Sequence, residues 1–132
     1  MVDPILKISN VSRNFGAIQA LKKANFEINK GEIMGLVGEN GAGKSTLVKI
    51  ISGFDNAYDG DYFLNNKRVN FDNPVKAELE GIAIAQQELS LIPNMSVAEN
   101  IFLAGSKVKK FATIKKLAEE AKPYLELVGL NN

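Results

Sequence analysis

Residues 38–46 read Gly-Glu-Asn-Gly-Ala-Gly-Lys-Ser-Thr, a full match to the phosphate-loop pattern G-x-x-x-x-G-K-[ST]. The glycines Gly38, Gly41 and Gly43 carry no Cβ, so the backbone can curl and aim several N–H groups at one phosphate. Upstream, Glu32–Val37 (Glu-Ile-Met-Gly-Leu-Val) is a short apolar run, as expected of a buried strand. Downstream, Lys44 to Ser52 has helical spacing, with Leu47, Ile50 and Ile51 on one face. The loop therefore opens a helix, where unpaired N–H groups and the macrodipole favour an anion. Lys44 brings a point charge for the β- and γ-phosphates, and the Ser45 hydroxyl is a hard oxygen ligand suited to Mg²⁺.

Around this centre the chain divides into short elements. Ile5 to Val11 and Ala24 to Ile28 read as strands, with Phe15-Gly16 in a loop beyond the first. Gly53 is placed to stop the phosphate-loop helix. Asp61 to Leu64 and Arg68 to Phe71 suggest a hairpin around Asn65-Asn66, since asparagine tolerates the positive φ of tight turns. Asn73-Pro74 supplies a cap and a first helical residue, for a helix ending near Gly81. Ile82 to Ala85 reads as a short strand, with Gln86-Gln87-Glu88 at its C-terminal end, the edge of an open α/β sheet where ligands sit. Ser96 and Glu99 form a capping box for a helix through Leu103. Ile114, Leu117, Ala118, Ala121, Leu125 and Val128 repeat at helical spacing, interrupted by Pro123, which is expected to kink or split the helix.

Composition narrows the chemistry. The 132 residues fit one modest domain or part of a larger one, with 45% hydrophobic and 23% charged residues. The net charge of +1 gives no electrostatic pull toward nucleic acid. Lys107, Lys109, Lys110, Lys115 and Lys116 form the one basic cluster and read as a solvated surface. With no cysteine and no histidine, disulfides, thiolate metal sites and imidazole chemistry are excluded within the chain. Neither a secretory signal nor an apolar run near the ~20 residues of a bilayer span is visible.

These landmarks together resemble an ATP-binding-cassette (ABC) ATPase domain over nearly the whole chain. Phe15, in Phe-Gly-Ala-Ile-Gln-Ala-Leu, takes the place of the family's aromatic loop. Gly38–Thr46 runs on into leucine as the family's loop does. Ile51-Ser52-Gly53 matches its helix end, and Gly60 stands where its hairpin strand begins, although Tyr62 and Phe63 replace the usual aliphatic residue. Gln87 matches the Q-loop glutamine. Gly81–Ile84, Gln87–Pro93 and Ser96–Leu103 are closer still to the monosaccharide importers of ribose, galactose and xylose type, whose ATPase chain is a tandem of two cassettes. Gln86 departs from that group, where histidine is expected.

The resemblance implies an α/β fold: a partial P-loop NTPase core with an antiparallel β subdomain and the start of a helical subdomain, divided as residues 1–88 and 89–132. It implies ATP and Mg²⁺ as cofactors. Phe15 would stack on adenine. Gly38, Glu39, Asn40, Gly41, Ala42, Gly43, Lys44, Ser45 and Thr46 would hold the phosphates, with Lys44 and Gln87 serving catalysis and Ser45 and Gln87 serving the metal. Implied partners are permease subunits, an extracytoplasmic sugar-binding protein and a second cassette, at the cytoplasmic membrane face. Leu89, Leu91, Ile92 and Met95, apolar residues clustered in a loop, would either face the permease or pack against the chain's own helices. The family's signature motif, Walker B aspartate, catalytic glutamate and switch histidine have no counterpart in these residues. The expectation is a fragment of the first cassette that binds ATP but does not turn it over, with an open strand edge beside Glu32–Val37. A non-hydrolytic nucleotide-binding module and an ABC protein without a permease remain as alternatives.

Overall fold

A computed structural model describes residues 3–85, 91–103 and 113–130. The chain forms two compact units, Met1–Ile84 and Ala85–Asn132. The expected roles of Gln86, Gln87, Glu88, Leu89, Lys107, Lys109 and Lys110 fall outside the described residues.

The first unit is built on β1 (Leu6–Phe15) and β2 (Ile18–Ile28), an antiparallel pair running from Leu6↔Ile28 to Phe15↔Ile18. Both strands outrun their sequence-based extents. The reason is irregular pairing: the register shifts between Ile8 and Val11 and again toward Asn14, with Asn10 (φ 52°) and Lys23 (φ 46°) in left-handed backbone. Side chains replace ladder bonds there. The Asn10 amide donates to Asn25 Oδ1 (3.0 Å) and the Lys23 amide to Ser12 Oγ (2.9 Å). An extra residue re-aims every side chain beyond it, so Val11 rather than Asn10 follows Leu6 and Ile8 into the core.

The sheet is completed by β3 (Asp59–Leu64) and β4 (Lys67–Arg68), in the order β2-β1-β3-β4 with antiparallel pairings throughout. Asn65 (φ 49°) and Asn66 (φ 61°) make the β3–β4 turn as their side chains foretold. Leu6, Ile8, Val11, Leu21, Tyr62 and Leu64 from the sheet pack with Leu47 and Ile50 of α1 (Lys44–Ile51), with Phe71, and with Ala77 of α2 (Pro74–Leu79). Tyr62 meets Phe71 edge-on at 5.6 Å and donates its hydroxyl to Ile51 O (3.4 Å). Asn73 caps α2 by accepting from the Lys76 amide, with Pro74 first in the helix. Gly53 (φ 75°) ends α1: its amide donates to Ile50 O, and that of Phe54 to Lys49 O, the paired bonds of a Schellman motif.

Three expected strands are corrected, the one expected over Arg68 to Phe71 ending already at Arg68. Glu32–Val37 and Ile82–Ala85 lie in no strand, and Ile33 and Val37 are 100% and 93% exposed rather than buried. An isolated extended segment leaves its N–H and C=O groups unpaired and its apolar side chains wet, so strand structure depends on neighbours. The sheet of the described residues offers these segments none.

The second unit joins α3 (Val97–Phe102) and α4 (Ile114–Leu127). The capping box at α3 is complete, with the Glu99 amide donating to Ser96 Oγ and the Ser96 amide to Glu99 Oε2. Ala98 packs with Leu117 and Ala121, and Phe102 meets Tyr124 edge-on at 5.9 Å. Pro123 does not divide α4, which is one element across it. The proline is exposed, so water can satisfy the carbonyl that its missing N–H leaves unpaired. Asn100 pins the preceding loop: its Oδ1 accepts from the Ile92 amide, and its Nδ2 donates to Ile92, Met95 and Ser96 carbonyls at 3.1–3.2 Å.

Candidate functional site

The phosphate-loop residues share one exposed stretch of the first unit. Gly38, Glu39, Asn40, Gly41 and Ala42 are open to solvent, Gly43 and Lys44 half-buried, Ser45 exposed and Thr46 half-buried. The Ala42 amide closes a turn onto Glu39 O (3.2 Å), and Gly43 enters α1 with φ 86° and ψ 2°. Gly43 accepts the Leu47 amide as helix cap but has no side chain to offer the N–H groups of the first turn. Those groups lack intrahelical acceptors in any α-helix. An anion therefore meets a row of donors with no competing side chain.

Gly43 is required sterically as well. A Cβ there would lie 2.5 Å from Ala20 O and 2.6 Å from Leu21 Cδ2. The start of α1 is thus seated directly on β2. Lys44 folds back over the loop, donating from Nζ to Gly38 O (2.6 Å) and Glu39 O (2.7 Å). An ammonium has three donors, so two fix its position and one stays available for a phosphate oxygen.

Phe15 is the last residue of β1, not a loop residue as expected, and the residue is 47% exposed. It pairs with Ile18, two residues along β2 from the Ala20 carbonyl against which Gly43 sits. At about 3.3 Å per residue along a strand and ~5 Å across a pair, the aromatic platform and the loop are on the order of 10 Å apart, within the reach of a nucleotide from base to phosphates. One hairpin thus carries both ends of the candidate site.

The sequence reading passed over Arg13 and Asp55. The Arg13 guanidinium carbon lies 4.2 Å from the Phe15 ring centroid, its Nε donates to Asp55 Oδ2 (2.7 Å), and another of its nitrogens donates to Asn14 O (2.6 Å). The Arg13 and Asp55 side chains are 18% and 10% exposed. Burial pushes the Asp55 carboxyl up, but the Arg13 hydrogen bond, the Ala57 amide and the charges of Arg13 and Lys49 outweigh it and hold its pKa below the ordinary 3.8. No local pattern links positions 42 residues apart; only the closed fold reveals the pair.

Among the described residues no group of three or more Asp, Glu, His or Cys could hold a metal. The exposed Ser45 hydroxyl fits a Mg²⁺ that is held chiefly by phosphate oxygens and water. No helix among the described residues is long and apolar enough to cross a membrane.

The ABC transporter family model matches residues 21–132. The chain is 41% identical over 132 residues to the ribose import ATP-binding protein RbsA of Caldanaerobacter subterraneus, covering 98% of this chain and 27% of that protein. It is 46% identical over 123 residues to the xylose/arabinose import ATP-binding protein XylG of Sulfolobus acidocaldarius, covering 92% and 49%. The chain therefore spans about a quarter to a half of these relatives' lengths. Its fold is similar to the crystal structure of a nucleotide-free ATP-binding cassette from an ABC transporter, with a TM-score of 0.79 and 27% identity over 97% of this chain and 55% of that one. With its phosphate loop seated on β2 and a family match across residues 21–132, the chain belongs to the ABC transporter family, in its ATP-binding cassette portion.

Proposed function

We propose that the chain binds MgATP at Gly38–Thr46 as part of the ATP-binding subunit of a sugar importer, probing γ-phosphate occupancy on behalf of a membrane permease. The observation that carries this reading is the helix start on β2: a glycine cap without a side chain, open first-turn amides and Lys44 already held at the loop.

The residues divide the work. Gly38, Glu39, Asn40, Gly41, Ala42 and Gly43 wrap the phosphates in backbone, and Lys44, Ser45 and Thr46 add the amides of the helix start. Lys44 Nζ turns its remaining donor toward the β- and γ-phosphates. Phe15 stacks on the adenine, a contact of ~1–3 kcal/mol where bases stack on aromatic rings. Ser45 would hold Mg²⁺ as one ligand and Gln87 as a second, the latter also orienting the attacking water, and the metal would supply the neutralisation of phosphate charge that dominates phosphoryl transfer.

The intact protein is read as an ATPase that drives uptake of a monosaccharide. The supporting relatives are those named for ribose and for xylose/arabinose import. Its partners would be permease subunits, a sugar-binding protein outside the membrane and a second cassette, with the subunit on the cytoplasmic face. Leu91 and Ile92, exposed in a loop braced by Asn100, suit a permease contact. A gene for a polytopic membrane protein beside this one would support that assignment, and its absence would favour an ABC protein working without a permease.

Within these residues Lys44, Ser45 and Gln87 supply binding, a metal ligand and a water contact but no general base, so the chain alone is read as binding without turnover. The test is phosphate release on purified chain beside Lys44→Ala. Release at background in both, with ATP bound by the unaltered chain, is expected. Robust release that Lys44→Ala abolishes would overturn the binding-only reading.

A further inference from the structure

The geometry points to Arg13 as a positioning residue that, with Asp55, sets the place and the available face of the Phe15 ring for a nucleobase. This rests on the nucleotide-binding reading above and adds residues which that reading does not use.

Three contacts carry it. The guanidinium lies over one face of the Phe15 ring, 4.2 Å from its centroid. A cation there covers that face and draws on its negative quadrupole, leaving the opposite face and the edge to a base. The same guanidinium is fixed by Asp55 at 2.7 Å and by the Asn14 carbonyl at 2.6 Å. Asp55 in turn sits just beyond α1, its amide donating to Lys49 O (3.1 Å) and its Oδ1 accepting from the Ala57 amide (3.0 Å).

Helix α1 is therefore attached to the β1–β2 hairpin at both ends. Its start rests on β2 through Gly43. Its exit holds β1 through Asp55 and Arg13. The loop that would take phosphates and the ring that would take the base are referenced to one rigid element. An arginine fork suits this role because its plane can lie over a ring while its N–H groups bind a carboxylate. Arginine at this site acts through Phe15, and on the base end of the ligand only.

The test compares ATP with inorganic tripolyphosphate, which lacks the base, on the full chain and on Phe15→Ala, Arg13→Ala, Asp55→Asn and the Phe15→Ala/Arg13→Ala double variant. Circular dichroism confirms that each remains folded. Arg13→Ala is expected to weaken ATP about 3- to 10-fold while tripolyphosphate changes less than about twofold. Asp55→Asn should show the same selective loss, smaller in size, and the double variant should bind ATP no more weakly than Phe15→Ala. Equal losses on both ligands, no loss on either, or an undiminished further loss in the double variant would overturn the assignment. Should Arg13→Ala fail to fold, Arg13→Lys and Asp55→Asn carry the same comparison. If the unaltered chain binds neither ligand, the nucleotide reading falls and this one with it; if Phe15→Ala and Arg13→Ala differ in which ligand they affect, only this one falls.

Discussion

Gly43→Ala and Gly41→Ala are the same chemical change at nearly the same backbone angle, φ 86° and 85°, yet they should differ sharply. A left-handed conformation costs an L-residue about 1–2 kcal/mol, and both variants bear that. At Gly41 a Cβ meets nothing within 4 Å. At Gly43 it would stand 2.5 Å from Ala20 O and 2.6 Å from Leu21 Cδ2. The first is backbone inside a paired strand, and the second belongs to a buried side chain. A strand carbonyl does not yield without moving α1 off β2, which adds about 1–3 kcal/mol by analogy with overpacked cores. Gly43→Ala should therefore be the less stable of the two by that margin. Urea unfolding followed by far-ultraviolet circular dichroism measures it. With slopes of about 1–3 kcal/mol per molar urea for small proteins, the midpoint should fall by roughly 1 M relative to Gly41→Ala. Coincident midpoints would refute the seating of the loop on β2.

Other consequences are as direct. Asp55 takes up its proton less readily folded than unfolded, so its contribution is fully present above the ordinary value of 3.8 and is lost as pH falls through the lowered folded value. Asp55→Asn should cost about 1–3 kcal/mol near neutral pH, and the gap to the unaltered chain should shrink below pH ~4; a gap constant with pH would contradict the pair. Asn100→Ala should free the Ile92 amide, now held at 2.9 Å, raising its hydrogen-exchange rate about 5- to 10-fold, as loss of one net hydrogen bond implies; unchanged exchange would show that the loop is braced otherwise. Ile33 and Val37 expose large apolar side chains, so the chain should self-associate with concentration in sedimentation, and Ile33→Lys with Val37→Lys should reduce it; a strict monomer before substitution would contradict this.

Features set by a few neighbouring residues were legible in the sequence. The loop opening α1, the Gly53 stop and the Asn65-Asn66 turn depend on backbone angles that glycine and asparagine tolerate, and the Asn73-Pro74 start and the Ser96–Glu99 box on cap side chains bonding nearby backbone. Features that need a distant partner were not. β1 and β2 looked short because bulges at Asn10 and Lys23 break the alternation of sides. Glu32–Val37 has a buried strand's composition without a strand's neighbours. Of the site, the loop residues were read from their motif, but the fold-back of Lys44 onto Gly38 and Glu39 and the Arg13–Asp55 pair beside Phe15 come only with closure of the fold.

The central claim is that Gly38–Thr46 holds a triphosphate, and calorimetric titration of MgATP into the chain and into Lys44→Ala tests it. A charged hydrogen bond contributes about 1.5–3 kcal/mol, so single-site binding weakened roughly 10- to 100-fold by Lys44→Ala is the predicted result. No heat of binding to the unaltered chain, or the same affinity in both proteins, would contradict it.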